Sequence, residues 1–444
     1  MKIVIAGAGD VGSHLAKLLT HEKEDILVID EDSDKLTALD SNYNLMTLTG
    51  SPTSFRTQRV AGVGECDLFI AVTPSETDNI VSCSIAKNLG AKTTVARISS
   101  FDFMEERNRD MVTHMGVDRL IYPEYLAATE MVTALRRPWV RNWFQLHDGA
   151  LLVIGVKLRA DAPIVGMQLK EFAQTNHNFH VSAIKRRGET IIPNGNDYLL
   201  ENDILYVATL PGYVDDLRRL TGKKDYQIHR VMVMGGGKIT IRFAAEADPD
   251  MHIKIIDNKA AVCERLPEKC PDCDISVGDA RDIELLLDEG ITDCDAFIAL
   301  TGSSEANILT CLTAKELGVK KTIAEVENIQ YINQAESLNI GTIINKKLLA
   351  SSTIFQLLLD ADSSTSRCLA LADAEVAELE VKPGAKIAGR PVRQLKLPWG
   401  MTLAGLVRGG EGMLVTGDTV IQPGDHVVVF TLSGILHKTE KLFN

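Results

Sequence analysis

The sequence predicts an α/β chain made of two tandem, doubly wound parallel sheets, each followed by a small α+β domain. Three observations point there. One is an internal repeat at a fixed offset, another is the alternation of apolar strand segments with helical ones, and the third is a glycine-rich turn closing the first strand of each half.

The repeat sets the organisation. Residues 66–90 read CDLFIAVTPSETDNIVSCSIAKNLG, and residues 294–318 read CDAFIALTGSSEANILTCLTAKELG. At an offset of 228, Cys66, Asp67, Thr73, Ser75, Asn79, Cys83, Ala86, Lys87 and Gly90 all meet identical residues. The same offset carries Gly7 onto Gly235, Gly9 onto Gly237 and Gly50 onto Gly278. Four of the eight cysteines fall into matched pairs, which marks core positions and not reactive thiols. A weaker repeat follows each half, APIVGMQLKEF at 162–172 against AKIAGRPVRQL at 385–395. The chain is therefore A–B–A′–B′, with domains at 1–118, 140–222, 228–345 and 366–444 and linkers near 120–145, 222–228 and 345–370.

Within the first half, KIVIAGAG is a continuous apolar strand ending in glycines. A helix follows, with Val11, Leu15, Leu18 and Leu19 near one face. Then come a strand at 26–30, a helix near 33–40, a strand at 45–50, a helix around 55–61, a strand at 67–73, a helix at 77–89 and a strand at 93–98. Strands apolar on both faces indicate a parallel sheet covered on both sides. The B segments differ. Glu201-Asn202-Asp203 and Gln422-Pro423-Gly424-Asp425 are turn signals placed before β-branched runs, so each B segment reads as a small β-rich domain with one or two helices.

Composition excludes several classes. A chain of 444 residues exceeds one hydrophobic core, and 24% charged with 45% hydrophobic residues is the balance of a soluble globular protein. Its net charge of -13 repels phosphate backbones, and the densest basic runs, Lys185–Arg186–Arg187 and Arg136–Arg137, are short. Nucleic acid is not an expected partner. The N-terminus runs straight into a strand without the pattern of a secretory signal, and no apolar stretch reaches the roughly 20 residues that span a bilayer. Any membrane role must come through a partner. Reduced thiols are expected, and Cys270 with Cys273, near Cys263, lacks the second pair or histidines of a metal site. No metal is expected.

Gly7-Ala8-Gly9-Asp10-Val11-Gly12 has the form GxGxxG, between the first strand and a helix, with Asp30 closing the second strand. Context makes this Rossmann-like: Gly7 permits the turn, Gly9 admits a pyrophosphate, and Gly12 lets helix and strand approach. The helix N-terminus offers N–H groups and a positive dipole end to phosphates. Asp30 is expected to accept ribose hydroxyls and to repel a 2′-phosphate, which favours NAD(H) over NADP(H). Further contacts are expected at the carboxyl edge of the sheet, from Gly50, Ser51, Thr73, Pro74 and a phosphate-pairing Arg97.

The second half offers Gly235, Gly236, Gly237, Lys238 and Ile239, with Asp257, Gly278, Asp279 and Thr301. Thr240 replaces the third glycine and Glu325 stands where Arg97 does, so the second site is expected to bind a less anionic ligand, to bind weakly or to have become structural. A dehydrogenase needs an acid or base beside the nicotinamide. The B domains share no such cluster: His177 and His180 have no counterparts in His426 and His437, so these read as surface histidines.

Taken together, KIVIAGAGDVG with VID, the segments CDLFIAVT and CDAFIALT with Asn79 and Asn307, VDRLIYPEYLAA at 117–128 and the paired IxG…PGD-type B domains carry a resemblance. The chain resembles the TrkA family of Trk potassium-uptake regulatory subunits, with two RCK (KTN) nucleotide-binding domains, each followed by an RCK C-terminal domain. The resemblance covers nearly the whole chain. It implies a non-catalytic, cytoplasmic subunit, assembled as a dimer or tetramer and peripheral on the inner face of the membrane through a membrane-embedded potassium transporter. It implies NAD(H), or ATP and ADP, as effectors, with potassium not bound directly. An NAD-dependent oxidoreductase and a nucleotide sensor for a non-potassium partner remain the alternatives.

Overall fold

The computed structural model describes residues 1–20, 24–361, 365–371, 374–432 and 435–444. Residues 1–127 and 345–361 form one compact unit, and residues 128–344 with 362–444 form another.

In the first unit six parallel strands, Lys2–Ala6, Asp25–Asp30, Met46–Thr49, Leu68–Ala71, Thr93–Arg97 and Arg119–Ile121, lie in the order third, second, first, fourth, fifth, sixth. Ile5 pairs with Val28 on one side and Ile70 on the other, so the strand order reverses beside the first strand. That reversal opens a crevice at the carboxyl ends, where such sheets bind ligands. Helix Asp10–Thr20 buries Val11, Leu15 and Leu19. Helix Glu76–Leu89 starts at Ser75, whose hydroxyl accepts the Asp78 N–H.

Asn79 is fully buried and ties two strand ends together. Its Oδ1 accepts the Thr73 N–H at 2.8 Å, and its Nδ2 donates to the carbonyls of Thr73 at 3.0 Å and Arg97 at 2.9 Å. Asn307 repeats this with Thr301 and Glu325. The matched cysteines behave as core. Cys83 and Cys311 each donate to a strand carbonyl at 3.4 Å, and burial pushes the Cys66 and Cys311 thiols up to about 11 and about 12.

Two expected linkers are largely secondary structure. The first sheet gains its sixth strand, Arg119–Ile121, beyond residue 118, and helix Pro123–Arg136 follows. In the other stretch helix Lys346–Ala361 packs on helix Asp10–Thr20 within the first unit. Ala127, Met131 and Leu135, and Ala350, Ile354 and Phe355, are buried. Helical spacing of apolar residues was present there, but a three-residue strand is too short to announce the helix that follows it. Residues 362–364 of that expected linker lie outside the described residues.

In the second unit, strands Arg230–Met234, His252–Asp257, Asp274–Val277, Ala296–Ala299, Lys321–Glu325 and Thr342–Ile344 repeat the first order. Two five-stranded antiparallel sheets, within 142–209 and 365–432, pack through Leu151, Val153, Val376 and Phe430. The turn signals hold matching clamps. Arg186 grips Asp203 through Nε at 2.8 Å and Nη2 at 2.7 Å, and Arg408 grips Asp425 at 2.7 Å through both. No helix among the described residues is long and apolar enough to cross a membrane.

Candidate functional site

In the first half the glycine turn is held by the second strand. Gly7 N–H donates to the Ile29 carbonyl at 2.8 Å, and Gly50 N–H donates to the Asp30 carbonyl at 2.9 Å. The Asp30 carboxylate accepts the Ala8 N–H at 2.6 Å on one oxygen and the Asp32 N–H at 2.8 Å on the other. Each oxygen keeps lone-pair capacity for a hydroxyl. The glycines differ in what they do. Gly7 has φ +113, and a Cβ on Gly12 would run into the Gly7 carbonyl oxygen. A Cβ on Gly9 would meet no protein atom within 4 Å. Gly9 thus faces open space, as a pyrophosphate-facing turn requires.

Around it, Asp10 and Val11 open the helix, Ser51 bonds Thr53 at 3.0 Å, and Thr73 with exposed Pro74 follows the fourth strand. Arg97 ends the fifth strand, and no ion pair holds its half-buried guanidinium among the described residues.

The second half repeats the hold. Gly235 N–H donates to Ile256 at 2.8 Å, Gly278 N–H to Asp257 at 3.0 Å, and the Asp257 carboxylate accepts Gly236 and Lys259 N–H groups, each at 2.8 Å. Here the crevice is a cavity of about 450 Å³, lined by Gly235, Gly236, Gly237, Asp257, Gly278, Asp279 and Thr301 among others. Lys238 and Ile239 begin the helix but do not line it.

The two departures lie outside these walls. Thr240 is buried, and its hydroxyl donates to the Gly235 carbonyl at 2.5 Å, the same oxygen position that Gly12 accommodates by lacking a side chain. Glu325 is buried and is not among the lining residues. The expected weakening of this site therefore has no counterpart in the cavity wall. Arg281 does line it, a residue that no motif singled out because it sits in a short turn after Gly278. Its guanidinium clamps Asp279, with Nε to Oδ1 at 2.9 Å, and holds that carboxyl down to about 2.

The remaining candidates fall elsewhere. His177 is exposed, while His180 is pushed down to about 4 by burial and sits 3.3 Å from the Thr402 hydroxyl. The His437 side chain lies outside the described residues. Cys263, Cys270 and Cys273 form no metal-ligating group among the described residues. His147, Glu378 and His426 do bring three ligand atoms within 4.8 Å, an arrangement the sequence hid because His147 is distant in the chain. His147 Nδ1 lies 2.9 Å from Glu378 Oε1, and His426 Nδ1 lies 3.2 Å from it. The structure also assembles a basic cavity, which corrects the reading that no basic patch exists: its lysines and arginines come from separate elements of the second unit and form no run in sequence.

Against known proteins, the TrkA-N domain matches residues 3–123 and 231–346, and the TrkA-C domain matches 153–222 and 376–444. The chain belongs to the TrkA family. It is 30% identical over 443 residues to the Trk system potassium uptake protein TrkA of Haemophilus influenzae, covering 97% of this chain and 95% of that one. Among solved structures, the GsuK channel bound to NAD aligns with a TM-score of 0.61 at 18% identity, over 100% of this chain and 78% of that one. GsuK bound to ADP aligns at 0.50 and 14%, over 80% and 69%. At such identities the likeness is one of fold.

Proposed function

We propose that this chain is a non-catalytic regulatory subunit of a potassium-uptake system, docked from the cytoplasm on a membrane-embedded potassium-translocating partner. NAD(H) or an adenine nucleotide in the glycine-turn clefts sets its state, and the chain works as a homo-oligomer. The observation that carries this reading is the hold of Asp30 and Asp257 on their glycine turns, repeated in both halves of a chain whose relatives are named for potassium uptake. A carboxylate so placed suits adenosine ribose hydroxyls and opposes a 2′-phosphate. Solved neighbours titled as bound to NAD and to ADP support that ligand class. A nucleotide shifts the subunit only by its differential affinity for two arrangements, so the effective ligands are those that contact the clefts differently.

The test pairs cells with calorimetry. A deletion strain lacking other uptake systems should grow poorly at limiting potassium, and wild-type chain should restore growth. The purified chain should bind NAD(H) or ATP more tightly than NADP(H), and Asp30→Ala should narrow that preference. Unimpaired potassium uptake in the deletion strain, or tighter NADP(H) binding by the wild type, overturns the reading.

A further inference from the structure

A cavity of about 440 Å³ in the second unit, sharing no lining residue with the crevice at the glycine turn of that unit, is lined by cations. Arg141, Lys157, Arg159, Lys223, Lys315 and Lys321 all face it. In a chain of net charge -13 such a gathering opposes the overall field. The partners these cations have are mostly neutral. Arg141 Nη2 and Lys157 Nζ both donate to Asn339 Oδ1 at 3.3 Å, and Lys315 donates to the Asn339 backbone carbonyl. Arg141 Nη1 donates to the Gly341 carbonyl at 2.7 Å, and Lys321 to the Pro138 carbonyl at 3.2 Å. Asn339 itself takes a left-handed φ of +56 just past the helix that ends at Ser337.

Carboxylates are scarce here. Asp161 is the one acidic residue lining the cavity among the described residues. Glu336 is engaged by Lys185 at 2.7 Å, and Glu130 acts on Lys321 from its own helix. Lys223 and Arg159 make no hydrogen bond or ion pair through their side chains among the described residues. Burial and the neighbouring Arg159 and Arg141 push Lys223 down to about 8, and burial with Arg141 pushes Lys321 down to about 7. Cations that repel one another and outnumber the carboxylates near them are costly to hold together, and an anion relieves the cost. The forked guanidiniums and compact ammoniums suit phosphate oxygens.

We propose that this cavity is a separate anion site that binds a multivalent phosphate chain, either free or as part of a nucleotide. Its position between the first B domain and the second nucleotide-binding half makes such a ligand a bridge between them.

Inorganic tripolyphosphate is the probe. Calorimetry on the full chain in about 150 mM potassium chloride, where exposed pairs are screened, should show binding to wild type. Binding at pH 8 should take up protons, seen as a heat that scales with the buffer's ionisation enthalpy, because the anion recharges Lys223 and Lys321. Arg159→Gln with Lys223→Gln should weaken affinity about tenfold or more while the ligand-free melting temperature holds or rises. If that pair does not fold, Lys223→Gln alone should weaken binding about threefold. Gly9→Asp with Gly237→Asp should leave tripolyphosphate binding intact, and ATP displacing it in that chain assigns a nucleotide as the source, whereas no displacement assigns a free phosphate chain. Absence of binding, equal affinity in the Gln variants, or loss of binding in the Asp variants overturns the proposal.

Discussion

The carboxylate of Asp10 accepts a hydrogen bond from the ammonium of Lys347 at 2.6 Å, although the two lie 337 residues apart in the sequence. Asp10 starts the helix whose N-terminus faces the crevice, and Lys347 lies in the first turn of the helix packed on it. A carboxylate suits the helix dipole but opposes an incoming phosphate, and Lys347 offsets it. Lys347→Gln should therefore lower nucleotide affinity of the first cleft about threefold to tenfold. Asp10 is 69% exposed, so folding stability should change by less than about 1 kcal/mol. A double-mutant cycle with Asp10→Asn measures the coupling, and recovery of affinity in the double variant is the expected outcome. Strict additivity of the two changes would remove the pair from the binding account.

Two glycines of one turn should fail in different ways. Gly9→Asp places a charge in open space, so it should abolish binding in the first cleft while shifting the melting temperature little. Gly12→Ala drives a methyl group into the Gly7 carbonyl and should cost about 1–3 kcal/mol of stability. Gly237→Asp should remove the second cleft as completely as Gly9→Asp removes the first, since the cavity there is open and neither Thr240 nor Glu325 lines it. Stoichiometry by calorimetry checks this. A Gly237→Asp chain with undiminished stoichiometry contradicts it.

The buried staples should be expensive to cut. Asn79→Ala strands the N–H of Thr73 and the carbonyl of Arg97 at the ends of two core strands, with an expected loss of about 2–4 kcal/mol. Asp425→Ala removes a buried carboxylate from its forked partner Arg408, which stays partly exposed to water, with an expected loss of about 1–3 kcal/mol. Urea unfolding reads both. A change below about 1 kcal/mol in either would show that water replaces the lost bonds freely.

Much of this was legible in the sequence because it is local or duplicated. The glycine turn, Asp30 and the strand-helix alternation are encoded within short windows, and the repeat doubled each signal. What escaped was assembled in space. The helix at 346–361 reads as a linker until helix 10–20 is there to receive it, and Arg281 has no motif around it. The effect expected of Glu325 followed from matching it to Arg97, but strand position alone does not say whether a side chain reaches the crevice, and this one is buried. The basic cavity draws on residues from 141 to 321, so no count along the chain reveals it.

Stability should also follow pH in a defined window. Burial lowers Lys321 to about 7 and Lys223 to about 8, from 10.5, so between pH 7 and 10 the unfolded chain binds protons that the folded chain does not. Stability therefore rises with pH across that range, and the cost of these buried cations is largest below about 7. The thiols act in the opposite sense. Cys66 and Cys311, raised to about 11 and about 12, keep protons in the folded chain that unfolded thiols lose above about 9. Two ammoniums lose protons from about pH 7 while the thiols oppose them only near 9 and above, so these four groups together place the optimum between about pH 9 and 10 in phosphate-free buffer. Urea midpoints at half-unit intervals from pH 6.5 to 9.5 would trace the curve. Lys321→Met removes one of the titrating cations and should flatten the rise, whereas a wild-type profile that is already flat between pH 6.5 and 8.5 would show that these ammoniums are solvated in the folded chain.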